Sequence, residues 1–97
     1  MAPAPPPGHF HILYFAAAAQ HTGKSLEPLP APLPLRDLFD ELERRYSGIR
    51  ASVLDHSLVT VNLEYVDIQA DEEAPEGERV VIQEGDEVAV IPPVSSG

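Results

Sequence analysis

Residues 34–48 read PLRDLFDELERRYSG. Leu35, Leu38, Phe39, Leu42 and Tyr46 fall at i, i+3, i+4, i+7 and i+11, the spacing that lines apolar side chains along one stripe of an α-helix. Acids at 37, 40 and 41 come early and Arg44 and Arg45 come late, which complements the helix dipole. Pro34 suits the first helical position, and Gly48 suits the C-terminal stop. A helix with one apolar stripe cannot bury it alone. It needs a sheet to lie across.

The segments on either side supply that sheet. Residues 9–15, HFHILYF, lack Gly and Pro and are aromatic and β-branched, which predicts a strand. Phe10, Ile12 and Tyr14 share one face and His11, Leu13 and Phe15 the other. Both faces are apolar toward the end, so this strand is expected at the centre of the sheet or against a partner. Residues 16–23 read as a short helical turn or loop, and 25–29 as a weaker strand. Prolines at 28, 30, 32 and 34 punctuate the connection to the helix. Beyond Gly48, residues 57–62 (SLVTVN) read as a strand, 62–64 as a tight turn and 65–66 as a short return strand. DEEAPEGE at 71–78 reads as a solvated acidic loop, 79–83 as a brief strand, 84–86 as a turn, and 87–91 as the last strand. No internal repeat is visible. Two strands, one helix and further strands predict an α+β chain: a ubiquitin-like β-grasp with a mixed sheet, one main helix packed across one face, and the first and last strands adjacent at the centre.

Ninety-seven residues make at most one domain. Residues 1–8, MAPAPPPG, carry four prolines and no charge and are expected to form a disordered arm. Residues 9–91 form the domain and 92–97 an extended tail. The arm lacks the basic start and apolar run of a secretory signal, and no apolar stretch is long enough to span a bilayer. The absence of cysteine excludes disulfides, thiolate metal sites and a cysteine nucleophile, and fits a cytoplasmic protein. A net charge of −10 argues against nucleic acid and anionic membranes. It suits basic protein partners, or it serves solubility alone.

Catalytic constellations are sparse. His9 and His11 share a strand face, but no third ligand completes a metal site, so none is expected. There is no phosphate loop, nucleophile elbow or metal-binding helix motif, and no permanently bound cofactor is expected. The chain does not read as an enzyme on its own. The tail is more informative. Pro92 and Pro93 lack N–H donors, so the sheet cannot continue past Ile91. Val94, Ser95, Ser96 and Gly97 then narrow progressively, over an extended length of roughly 20 Å from the strand end. A thin extended end suits insertion into another protein's channel. A frayed terminus is the plain alternative. If the first and last strands pair, Phe15 and Ile91 meet beside the tail root with Tyr65 near, as a partner interface or as ordinary core.

EGDEVAVIPPVSSG at 84–97 closely resembles the end of the molybdopterin synthase small-subunit family, whose tail is typically Pro-Pro-(Val/Ile)-(Ser/Thr)-Gly-Gly after a Gly-Asp-Glu turn and an apolar strand. ILYFA at 12–16 resembles the family's first strand, and VNLEYV at 61–66 its middle turn. One position departs: Ser96 stands where the family has glycine, which adds a β-carbon where glycine is more permissive. The resemblance implies a sulfur carrier. An E1-like activating enzyme would consume ATP to adenylate the carboxylate of Gly97, and sulfur would replace AMP to give a thiocarboxylate. The tail, Pro92 to Ser96 behind Gly97, would enter the large synthase subunit and deliver sulfur to cyclic pyranopterin monophosphate. The assembly implied is a heterotetramer of two small and two large subunits. Alternatives are a carrier for thiamin or tRNA thiolation, a ubiquitin-like modifier, and a plain interaction module.

Overall fold

The computed structural model describes residues 4–93. The expectations for Val94, Ser95, Ser96 and Gly97 lie outside the described residues. In chain order the elements are β1 (His9–Tyr14), α1 (Ala17–Thr22), β2 (Leu26–Pro30), β3 (Leu33–Pro34), α2 (Leu38–Arg45) and α3 (Ile49–Ser52). They continue with β4 (Leu58–Val61), β5 (Glu64–Val66), α4 (Ile68–Glu73), β6 (Val81–Ile82) and β7 (Glu87–Ile91). Five strands form one sheet in the order β2-β1-β7-β4-β5, while β3 and β6 pair separately. β1 and β7 run parallel at the centre, from His11 opposite Glu87 to Tyr14 opposite Val90. Their neighbours are antiparallel, so the sheet is mixed, and the fold is the ubiquitin-like β-grasp.

The core lies where the apolar faces meet. Phe10, Ile12 and Tyr14 from β1, Val88 and Val90 from β7 and Val59 from β4 are buried together with Leu38 and Leu42 of α2. Period-2 alternation on the strands and the helical stripe thus converge on one interior. The core faces of β1 and β7 are sealed; on the other face His11 is also buried, Leu13, Ala89 and Ile91 are half-buried, and Phe15, just past the strand end, is exposed.

Three segments differ from the sequence expectation. The helix is shorter than 34–48. Leu35–Asp37 is a 3-10 turn, α2 runs Leu38–Arg45, and α3 follows directly after Gly48 at φ 87°. Pro34 is extended (φ −57°, ψ 134°) and pairs with Val81 in β3–β6, so the helix cannot start there. The acidic loop at 71–78 is the second correction. Its first part belongs to α4, which begins at an Asp67 cap whose Oδ1 accepts the Ala70 N–H at 3.0 Å. Ile68 drops into the core, and Asp71 is buried, its Oδ1 accepting the Val80 N–H at 2.7 Å. A backbone donor, not solvent, meets Oδ1, while Oδ2 is buried without a partner among the described residues. The strand expected over 79–83 shrinks accordingly to Val81–Ile82.

The N-terminal arm is fastened at its inner end. Gly8 donates to the Glu84 carboxylate and accepts from Ala31 N–H at 2.9 Å, and the His9 N–H reaches the Pro6 carbonyl at 3.1 Å. The first ties Gly8 to the turn before β7, the second ties it to the connection between β2 and β3, and the third turns the segment back on itself.

Candidate functional site: the root of the C-terminal tail

β7 ends at Ile91, opposite Leu58 of β4. On its other side, the Phe15 N–H donates to the Val90 carbonyl at 3.2 Å, which carries the β1 backbone one step past its last ladder pair. Phe15, Ala16, Ile91 and Pro92 line a shallow apolar depression of about 340 Å³. Phe15 is 47 % exposed and Leu58 is 58 % exposed. Both large apolar side chains lie open on one sheet face, a grouping more common at contact surfaces than elsewhere on a protein. The structure therefore brings Phe15 and Ile91 together beside the point where the tail departs.

Tyr65 joins them on the same face, one row back. Leu13, Ala89, Thr60 and Tyr65 are register partners across β1, β7, β4 and β5, and Tyr65 is 70 % exposed. The hairpin that presents it turns through Asn62 and Leu63, at φ 50° and 71°, the paired left-handed conformation of a two-residue hairpin. Asn62 tolerates it and also braces β7. Its Oδ1 accepts the Glu87 N–H at 2.9 Å and its Nδ2 donates to Asp86 at 3.1 Å. Leu58 was not anticipated from the sequence. The signal was present, because alternation in SLVTVN puts Leu58 and Thr60 opposite the buried Val59.

The prolines divide their work. Pro92 is buried and Pro93 is exposed. Pro92 is thus part of the domain's surface packing, beside Phe15, rather than free tail.

A second feature at this end of the sheet was also missed. Glu27 of β2 is buried, and its Oε2 accepts the hydroxyls of Tyr14 at 2.6 Å and Tyr46 at 2.5 Å. Its Oε1 lies 3.2 Å from Lys24 Nζ. The two rings meet edge to face, 6.1 Å between centroids. Burial acts to raise the Glu27 pKa, but the hydrogen bonds from Tyr14, Tyr46 and Lys24 outweigh it and hold the carboxyl below its ordinary value. The Tyr14 hydroxyl is pushed upward, by burial first and by Glu27 second. Nothing in the order of residues announces this cluster, since its members come from β1, the loop before β2, β2 itself and the residue capping α2.

The rest of the surface offers little chemistry. A larger open groove of about 460 Å³ lies among Phe39, Leu54, Leu58, Val66 and Ile68. Its Arg50 is paired with Asp40, and its Ser57 hydroxyl is spent on the Val53 carbonyl at 2.8 Å, so no activated nucleophile faces it. His9 Nδ1 lies 2.9 Å from the Pro7 carbonyl. Among the described residues, no group of three or more His, Asp or Glu could hold a metal.

The model of the ThiS family matches residues 12–97. A molybdopterin synthase sulfur carrier subunit of Phaeosphaeria nodorum is 63 % identical over 92 residues, covering 95 % of this chain and 94 % of the relative. That of Pyrenophora tritici-repentis is 59 % identical over 98 residues, with both chains covered in full. The chain belongs to the ThiS family, with the molybdopterin synthase sulfur carrier subunits. Among solved structures it is similar to SAMP1 from Haloferax volcanii, at a TM-score of 0.68 and 25 % identity, covering 93 % of this chain and all of that one. The ThiS match takes in β1 from Ile12 onward, the tail root and the sequence through Gly97, so the family's shared segment includes both the exposed apolar face and the tail. Among the described residues, no helix is long and apolar enough to cross a membrane.

Proposed function

We propose that the chain is the sulfur carrier subunit of a molybdopterin synthase and that the α-carboxylate of Gly97 bears the sulfur. The observation that carries this reading is the identity to curated sulfur carrier subunits across nearly the whole length of both chains. The tail root supports it independently. The sheet stops at Ile91, a buried Pro92 fixes the exit, and an apolar face lies beside it.

The chemistry requires no side-chain nucleophile. A Gly97 carboxylate oxygen attacks the α-phosphorus of ATP and pyrophosphate leaves, giving a mixed anhydride. Hydrosulfide then attacks the carbonyl carbon, AMP leaves with the C–O electron pair, and a thiocarboxylate remains. The loaded tail enters the large subunit and passes sulfur to cyclic pyranopterin monophosphate, twice for one dithiolene. The carrier's part is presentation. Phe15, Leu58, Ile91 and Tyr65 dock the sheet face while the tail reaches onward. The chain is then not an enzyme by itself; it is the donor subunit of a complex whose active site lies in the large subunit, two copies of each. An E1-like adenylyltransferase is the other partner. The carrier's net charge of −10 suits basic docking surfaces on both.

The test is positional. One alanine added after Gly97 leaves the domain unchanged but moves the carboxylate by roughly 3.5 Å, and a 1 Å misplacement can cost about a hundredfold in rate. Sulfur transfer to the pterin precursor with a matched large subunit is expected to collapse in the extended chain and in a chain lacking Gly97. Ser96→Gly keeps or improves it. Full activity of either length variant refutes the carrier reading.

A further inference from the structure

The six basic side chains of this protein are five arginines and one lysine, Lys24. A guanidinium stays protonated and does not attack carbonyls. Lys24 is therefore the one side-chain amine in a molecule whose own carboxylate, on the carrier reading, becomes an acyl adenylate. An amine that reached that anhydride would form an N–C bond as the C–O bond to AMP breaks. AMP would leave with the electron pair and the nitrogen would lose its proton to solvent. The product is an isopeptide, and the carboxylate needed for sulfur is consumed.

Lys24 stands at the end of the sheet from which the tail departs. The Tyr14 N–H donates to the Ser25 carbonyl at 3.0 Å, and Tyr14 is paired with Val90, so Ser25, just before β2, lines up with Tyr14 of β1 and Val90 of β7. β2 runs opposite to β1, and β7 runs with it. Lys24 thus lies beyond that row on the same side as Ile91 and Pro92. Two strand spacings separate it laterally from β7, roughly 10 Å, while four residues beyond Pro93 can span up to roughly 14 Å.

The amine is held. Lys24 Nζ lies 3.2 Å from Glu27 Oε1 and 5.7 Å from the centre of the Tyr46 ring. Glu27 is in turn fixed by the Tyr14 and Tyr46 hydroxyls. The lysine side chain is half exposed, so it is restrained by charge and geometry rather than by burial. Tyr46 first and Glu27 second raise its pKa, which lowers the fraction present as free amine.

We propose that the Glu27–Tyr46 clamp guards Lys24, keeping the one side-chain amine of the chain from capturing the activated carbonyl of Gly97. This rests on the carrier reading. The experiment incubates the full chain with its activating enzyme and ATP, with the sulfur source withheld. Pyrophosphate release reports adenylation. Intact mass and peptide mapping report loss of one water within a chain, or between two chains, and its attachment point. Wild type is expected to release pyrophosphate and give little product at Lys24. Glu27→Gln raises the Lys24-linked product several-fold, and adding Lys24→Arg abolishes it. Ala17→Lys, on the exposed face of α1, supplies an unguarded amine without touching the clamp. It is expected to be linked at position 17 well above the wild-type level at Lys24, and it decides the matter if Glu27→Gln does not fold. The guard is overturned if wild type links at Lys24 as readily as Glu27→Gln does, or if neither Glu27→Gln nor Ala17→Lys exceeds wild type. Absence of pyrophosphate release from wild type removes the carrier reading itself, and the guard with it.

Discussion

Glu27 is a buried carboxylate that stays charged because three donors converge on it. Its folded pKa lies below the ordinary 4.5, so it binds its proton more weakly in the folded than in the unfolded chain. The stability it contributes is fully present above pH about 4.5 and is lost as pH falls through the folded value. Glu41, whose upward push from burial is outweighed by Arg45 and Arg44, and Glu43, held down by the backbone N–H groups of Gly48 and Arg50, act in the same direction. Urea midpoints measured from neutral pH down to about 3 are expected to fall across that window. Glu27→Gln is expected to cost about 1–3 kcal/mol at neutral pH, as for a disrupted buried hydrogen-bond set, and to flatten part of the acid slope. A slope unchanged by the substitution would show that other carboxylates carry it.

At the scale of elements, α2 and α4 owe their positions to different forces. α2 is held by burial: Leu38 and Leu42 are completely enclosed. Leu42→Ala is expected to destabilise the domain by roughly 2–5 kcal/mol, a large part of the ~5–15 kcal/mol a domain has in total. A denaturation curve like wild type would mean the stripe does not face the sheet. α4 is short and acidic, with Ile68 its only residue in the core cluster, so its cap carries more of its stability. Asp67→Ala removes the acceptor for Ala70 N–H and is expected to cost about 1 kcal/mol. Faster amide exchange confined to α4 and the adjoining β6 is the signature, with the five-stranded sheet unaffected.

For the whole molecule, the sheet divides the protein into a sealed face under α2 and an open apolar face beside the tail. Phe15→Glu and Leu58→Glu alter only the open face, where both side chains are already exposed. Each is expected to keep the wild-type melting temperature while weakening binding to the large subunit by about 2 kcal/mol or more, the scale of an interface hot spot. Titration calorimetry with the large subunit separates this from unfolding, and loss of the fold in either variant would place that residue in the core. If the large subunit docks through a basic surface as proposed, association is also expected to slow as salt rises, because salt screens the charge that steers an acidic carrier.

The sequence by itself determined the fold class, the central pairing and the family. Hydrophobic periodicity is a local signal: the stripe at 35–46 and the alternation in β1 and β7 can each bury an apolar face in only one way. The double proline ends a sheet because it has no N–H to give, whatever surrounds it. Tertiary structure decided what depends on partners distant in the chain. Asp71 read as solvated until folding brought the Val80 N–H to it, and Pro34 read as a helix start until Val81 paired with it. The Glu27 cluster needed three elements to meet before a buried carboxylate could exist at all. Leu58 and Pro92 separate the same way, since one apolar residue was left open and the other enclosed by how β4 and β1 flank the end of β7. Composition assigns each side chain its preference for water or core, and the neighbours that the chain folds against it decide whether that preference is met.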